Sequence, residues 1–77
     1  MDAKLKFLAY SAEIYKRAKR STGREIHDLF AKYGVWEYLY ECFDYLHTVG
    51  QKCTIDDIDA YIARRVEGIY AAKRLRL

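Results

Sequence analysis

Hydrophobic residues recur every three or four positions in four stretches of the chain, which glycine or small polar residues separate. This spacing is typical of amphipathic helices, and the first stretch predicts a helix over about residues 3–20. The following stretches predict helices over about 23–33, 35–49 and 55–74. The pattern therefore predicts an all-α fold, a compact bundle of four helices in a single domain that spans residues 1–77.

Residues that favour helix ends lie between these stretches. Thr22-Gly23-Arg24-Glu25 fits a capping box, and Thr54 precedes two aspartates as an N-cap would. Gly34 and Gly50 stand where a left-handed residue commonly ends a helix. We therefore expect the second helix to follow Thr22, and the fourth to follow Thr54 after a short loop over 51–53.

Composition narrows the protein class. The chain has no proline, which permits long uninterrupted helices, and it has no apolar run of the ~18–20 residues that cross a bilayer. Its first residues do not resemble a secretory signal. The two cysteines are too few for a disulfide framework. We expect a cytoplasmic protein with reduced thiols and no membrane contact.

The net charge of +3 is unevenly distributed, with +5 over residues 1–24, −6 over 25–59 and +4 over 60–77. Most of these charges fall where they complement helix dipoles, so we interpret them as structural. The alternative is a nucleic-acid surface at the basic ends of the first and fourth helices. The side chains that would form it are Lys16, Arg17, Lys19, Arg20 and Arg74. The acidic third helix would repel phosphates, so we do not expect nucleic acid as the partner.

Side chains suited to metal binding or catalysis are present but poorly spaced. A zinc site would use His27, Cys42, His47 and Cys53, which lack the close Cys–Cys or His–His pairs of such sites. A cation site would use Asp44, Asp56 and Asp59, for which helix capping is the simpler interpretation. Cys53 and His47 form the one nucleophile–base pair to consider, and no oxyanion arrangement accompanies them. We expect no enzyme, no metal and no cofactor.

Aromatic residues give the strongest functional hint, because eight tyrosines, three phenylalanines and one tryptophan exceed what so small a core buries easily. On the third helix we expect an inward stripe of Trp36, Leu39, Tyr40, Phe43 and Leu46. A second stripe consists of Tyr38, Cys42, Tyr45 and Val49, and it is either core or interface. Exposed tyrosine is enriched at protein interfaces. We expect partner contacts from Tyr38, Tyr45, His47 and Tyr61, and a homodimer stays open.

From Phe7-Leu8-Ala9-Tyr10 onward, over roughly residues 5–66, the chain resembles a family of small uncharacterised bacterial helical domains. The order and spacing of five motifs carry this resemblance: Glu13-Ile14-Tyr15-Lys16, Thr22-Gly23-Arg24-Glu25, Lys32-Tyr33-Gly34-Val35, Leu46-His47-Thr48-Val49-Gly50 and Asp57-Ile58-Asp59-Ala60-Tyr61-Ile62. The family supplies no established activity and no catalytic residue.

Members of this family are often encoded beside a second small protein that resembles an ADP-ribosyltransferase-type toxin. The resemblance therefore implies an antitoxin-like or accessory partner of a toxin. Together with the tyrosines, it predicts a non-catalytic protein-interaction module.

Overall fold

The computed structural model describes residues 2–74, with the surroundings of side chains described for residues 2–68. Over this range the chain forms an all-α bundle, as predicted. Its helices are α1 (Ala3–Lys19), α2 (Gly23–Tyr33), α3 (Val35–Glu41), α4 (Phe43–Leu46) and α5 (Gly50–Arg74).

The ends of α1 and α2 follow from their capping residues. The predicted capping box is present, because Glu25 N donates to Thr22 Oγ1 at 3.1 Å and Thr22 N donates to Glu25 Oε1 at 3.3 Å. Gly34 ends α2 in the left-handed conformation, as expected, with φ +70°. Arg20 adopts the same conformation after α1, with φ +53°.

The expected third helix is interrupted at Cys42, whose backbone leaves helical geometry between α3 and α4. The axes of α3 and α4 can therefore differ in direction where they pack on the core. α4 ends at Leu46, so the helix does not reach the predicted residue 49.

The predicted start of the last helix is wrong, because α5 begins at Gly50 and not near residue 55. The expected loop over 51–53 is helical, and Gly50 begins the helix with φ +84°. Thr54 is not an N-cap: its hydroxyl lies inside the helix and donates to the Gly50 carbonyl at 2.9 Å. A threonine hydroxyl satisfies backbone groups both at a cap and one turn into a helix, so sequence alone does not distinguish the two positions.

The core lies around α3, which packs against α1, α2 and α5. Its most deeply buried hydrophobic side chains are Phe30, Val35, Leu39, Leu46 and Ile58. The row of α3 that faces inward is therefore Val35 and Leu39. Trp36 is half-buried and packs on the core, with its ring centroid 5.0 Å from that of Phe30. Tyr40 is 42% exposed, so the predicted inward stripe was wrong for Tyr40.

α5 is the longest element, at 25 residues or about 37 Å. Its buried and half-buried side chains end at Ile62, and residues 63–68 are exposed. Over the described residues the molecule is elongated, with extents of 47 × 26 × 22 Å. None of the described helices has the length and apolarity needed to span a membrane.

Candidate interaction surface

Two of the predicted contact residues meet across the boundary between α3 and α5. The rings of Tyr38 and Tyr61 stack with centroids 4.2 Å apart and an interplanar angle of 18°. Both side chains are half-buried against the core. Burial raises the pKa of Tyr38, and the nearby Asp57 carboxylate raises it further. Both causes favour the neutral form of the Tyr38 hydroxyl.

Tyr45, on α4, is the most exposed large hydrophobic side chain among the described residues, at 63%. It follows Cys42, the residue at which the chain passes from α3 to α4. In contrast, Cys42 and Val49 are half-buried and pack on the core. The second stripe of the expected third helix is thus mainly core, with Tyr45 projecting from it. We call Tyr38, Tyr45 and Tyr61 the tyrosine patch.

The structure places His47 away from this patch. Its ring stacks on Phe43 with centroids 4.4 Å apart, and Nδ1 lies 2.6 Å from the Phe43 carbonyl oxygen. Phe43 in turn contacts Phe7 of α1, with ring centroids 5.5 Å apart. His47 therefore lies on the flank that faces α1, although its side chain is exposed.

Arg65 supports the tyrosine patch and was missed by the sequence reasoning. Its Nε donates to the Tyr33 carbonyl at 3.1 Å, and its guanidinium lies 5.4 Å from the centre of the Tyr61 ring. A Cβ at Gly34 would lie 3.2 Å from its terminal nitrogen, so the absent side chain leaves room for this contact. The four-residue spacing of Tyr61 and Arg65 on one helix was the available signal.

A second aromatic surface lies on the opposite flank of α3. Trp36 lines a groove of about 160 Å³ with residues of α1 and α2, among them Ala9, Ala12 and His27. The His27 and Trp36 ring centroids are 5.8 Å apart. Trp36 also lines a shallow hollow of about 230 Å³ on α3 itself, with Glu37, Tyr40 and Glu41. The sequence reasoning placed Trp36 and Tyr40 on the inward stripe and did not predict this surface.

The basic residues of the nucleic-acid alternative are largely engaged with carboxylates. Lys16 and Arg17 contact Glu13 at 3.1 and 3.3 Å, and Lys19 contacts Asp59 at 2.8 Å. Arg20 is exposed at the end of α1. The side chain of Arg74 lies outside the described part of the chain. The basic end of α1 thus carries its own counter-charges, and nucleic-acid binding stays an untested prediction.

The residues considered for metal binding are not brought together. Among the described residues, no three His, Cys, Asp or Glu side chains converge in a way that could hold a metal ion. Asp59 instead accepts hydrogen bonds from Tyr15 and Lys19. Cys42 is half-buried and Cys53 is exposed, and both are free thiols.

Comparison with known proteins assigns the chain to a family. No curated protein and no solved structure matches it. A family model described as "Protein of unknown function (DUF3791)" matches residues 6–65, which is most of the chain and includes every buried residue of the part whose side chains the structure describes. The chain therefore belongs to the DUF3791 family.

Proposed function

We propose that this protein is a non-catalytic interaction module that binds a partner protein through the tyrosine patch. The observation that carries the proposal is Tyr45, a large side chain that is 63% exposed on the helix that follows α3, which carries Tyr38 of the Tyr38–Tyr61 stack. A tyrosine gives large contact area for few rotatable bonds, and its hydroxyl still finds a hydrogen bond in an interface.

The patch is also preorganised for binding. The stack fixes Tyr38 and Tyr61, and Arg65 holds Tyr61 against the turn between α2 and α3. Fixed side chains lose little entropy when a partner docks, which favours affinity. His47 lies on the other flank and we propose it only as a contact at the rim.

We propose further that the partner is a bacterial toxin, of the ADP-ribosyltransferase-like kind often encoded beside the genes that this sequence resembles. The protein would then act as an antitoxin or accessory factor by covering a surface of the toxin. The proposed site of action is the cytoplasm. Membership of a family of unknown function supports an uncharacterised helical domain, and the gene neighbourhood implied by the resemblance supports a toxin as the partner.

The test is co-expression with the product of the adjacent gene, followed by tandem purification and a growth assay. We expect co-elution and relief of toxicity. Tyr45→Ala should weaken the complex by about 10- to 30-fold, as for a typical hot spot. Tyr10→Ala is the matched control, because Tyr10 is similarly exposed but lies on α1. Separate elution with persistent toxicity would refute the toxin as partner.

A further inference from the structure

The hollow on α3 combines aromatic faces with carboxylates. Its lining residues are Trp36, Glu37, Tyr40 and Glu41, which lie on two successive turns of one helix. Trp36 is half-buried, whereas the other three are exposed. We propose that this hollow binds a basic side chain, foremost an arginine, that a protein partner inserts. We call it the cation hollow.

The aromatic part of the hollow already attracts a cation. Lys4 of α1 places its Nζ 4.8 Å from the centre of the Tyr40 ring. Among the described residues, Lys4 makes no ion pair within 4 Å, so its ammonium group lies over the ring without a carboxylate partner. Aromatic faces attract cations through the ring quadrupole, and arginine exploits this most often.

The acidic part of the hollow consists of Glu37 and Glu41. Neither Glu37 nor Glu41 forms an ion pair within 4 Å in the described part of the chain. On the side of Gly34, Glu37 Oε2 and a terminal nitrogen of Arg65 lie 3.7 and 3.2 Å from where a Cβ would stand, so Arg65 shares the charge of Glu37 and Glu41 is the main acidic group of the hollow. A guanidinium in the hollow would therefore meet the Glu41 carboxylate and the Tyr40 ring, with Trp36 and Glu37 also lining the site. A planar five-donor group suits such a site better than an ammonium.

Other occupants fit the hollow less well. An apolar side chain would leave carboxylates at its rim partly desolvated, which is costly. A metal ion would have only the two glutamates of one helix, since no third ligand converges there among the described residues. The charge pattern thus selects a basic segment of a protein, and the inference rests on the proposed role in protein binding.

The test uses the fluorescence of Trp36, which is the only tryptophan of the chain. The full chain is titrated with three capped pentapeptides that differ at the central residue: arginine, lysine or citrulline. Citrulline matches the shape of arginine without its charge. We expect a saturable change in emission with the arginine peptide, weaker binding of the lysine peptide, and at least a threefold loss of affinity with citrulline.

Variants then locate the binding. Replacing both carboxylates, E37Q with E41Q, should weaken the arginine peptide about tenfold. E67Q is the matched control, because Glu67 is an exposed acid on α5 outside the hollow. K4A should strengthen binding, since it frees the face of Tyr40. Far-UV circular dichroism checks that each variant folds.

Several outcomes would overturn the proposal. They are an absent response, an equal response to citrulline, or an unchanged affinity in the E37Q/E41Q variant. A response confined to K4A would mean that Lys4 of the same chain fills the hollow. A concentration-dependent dimer that E37Q/E41Q abolishes would put a second copy there instead.

The result is separable from the proposed function. Arginine binding without any complex with the neighbouring gene product would retain the cation hollow and discard the toxin. Complex formation that depends on Tyr45 but not on Glu37 and Glu41, with no response to the peptides, would retain the proposed function and refute the cation hollow.

Discussion

Arg20 adopts a backbone conformation that disfavours its own side chain. With φ +53°, it is the C′ residue of α1: Arg20 N donates to Arg17 O and Ser21 N donates to Lys16 O. This double bonding is a Schellman ending, which usually uses glycine. The sequence reasoning extended the helix through Arg20 because no glycine marked the stop.

Replacing Arg20 by glycine should stabilise the protein. The left-handed conformation destabilises a non-glycine residue by about 1–2 kcal/mol, and glycine removes this strain. Part of the gain is offset because glycine loses more conformational entropy on folding. We expect Arg20→Gly to raise the free energy of unfolding by about 0.5–1 kcal/mol in urea titrations. Ala18→Gly, inside the same helix, should lower it by about 1 kcal/mol. A loss of stability in Arg20→Gly would contradict the assigned ending.

Tyr15 is buried, yet its hydroxyl donates to Asp59 Oδ1 at 2.6 Å, while Lys19 donates to Asp59 Oδ2 at 2.8 Å. This network joins α1 to α5. Tyr15→Phe should cost about 1 kcal/mol at neutral pH, because the bond is charge-assisted but Asp59 is partly solvated and keeps Lys19 as a partner. Tyr10→Phe removes an exposed hydroxyl and should cost little, as urea titration of both variants would show.

The same bond makes stability depend on alkaline pH. Burial, followed by the Asp59 hydrogen bond and charge, raises the pKa of Tyr15 far above the usual 10.0. The unfolded chain therefore loses this proton near pH 10 while the folded chain retains it, so the stability present below pH 10 declines as the pH rises above it. Between pH 9 and 11.5, Tyr15→Phe should lose less free energy of unfolding than the wild type. Parallel curves for the two proteins would refute the assignment.

At the scale of elements, the turn between α2 and α3 depends on α5. Gly34 alone separates the two helices, and Arg65 reaches it from α5 to bind the last carbonyl group of α2. A cation at a helix C-terminus also complements the dipole. This contact joins α5 to the turn, in addition to the bonds of Asp59 to α1 and the burial of Ile58.

Removing Arg65 should loosen this joint. We expect Arg65→Ala to lower the free energy of unfolding by about 1 kcal/mol, through the lost hydrogen bond and the lost packing on Tyr61. Arg64→Ala is the matched control, because Arg64 is the neighbouring exposed residue. Thermal unfolding compares the two. Equal melting temperatures for both variants would show that the contact contributes nothing.

At the scale of the whole molecule, packing is concentrated at one end of α5. Ile58 is fully buried, Val66 is 37% exposed, and residues 63–68 are all exposed. The family match ends at residue 65, near the same point. Among the described side chains, burial thus divides α5 into a segment packed on the bundle, up to Ile62, and an exposed segment over residues 63–68.

Hydrogen exchange should reveal this gradient. Amides around Ile58 should exchange only on global unfolding, whereas those of residues 63–68 should exchange through local fraying with lower protection. Consistently, Ile58→Ala should cost about 2–5 kcal/mol and Val66→Ala below about 0.5 kcal/mol. Uniform protection along α5 would contradict the gradient.

The sequence by itself determined the all-α class, the capping box at Thr22 and the stop at Gly34. These features depend on contacts within a few residues, so local patterns suffice to predict them. It also identified the tyrosines of α3, α4 and α5 as residues of interest. Features that depend on contacts between residues far apart in the sequence could be assigned only from the tertiary structure.

Only the tertiary structure decided which aromatic side chains are exposed. On the expected third helix apolar residues surround most of the circumference, so periodicity does not identify the inward row. Packing against three other helices turned Val35 and Leu39 inward and left Tyr40 and Tyr45 exposed. Likewise, the hydrogen bond from Arg65 to Tyr33 joins residues on different elements. Such contacts between distant residues arise from packing, and no local pattern encodes them.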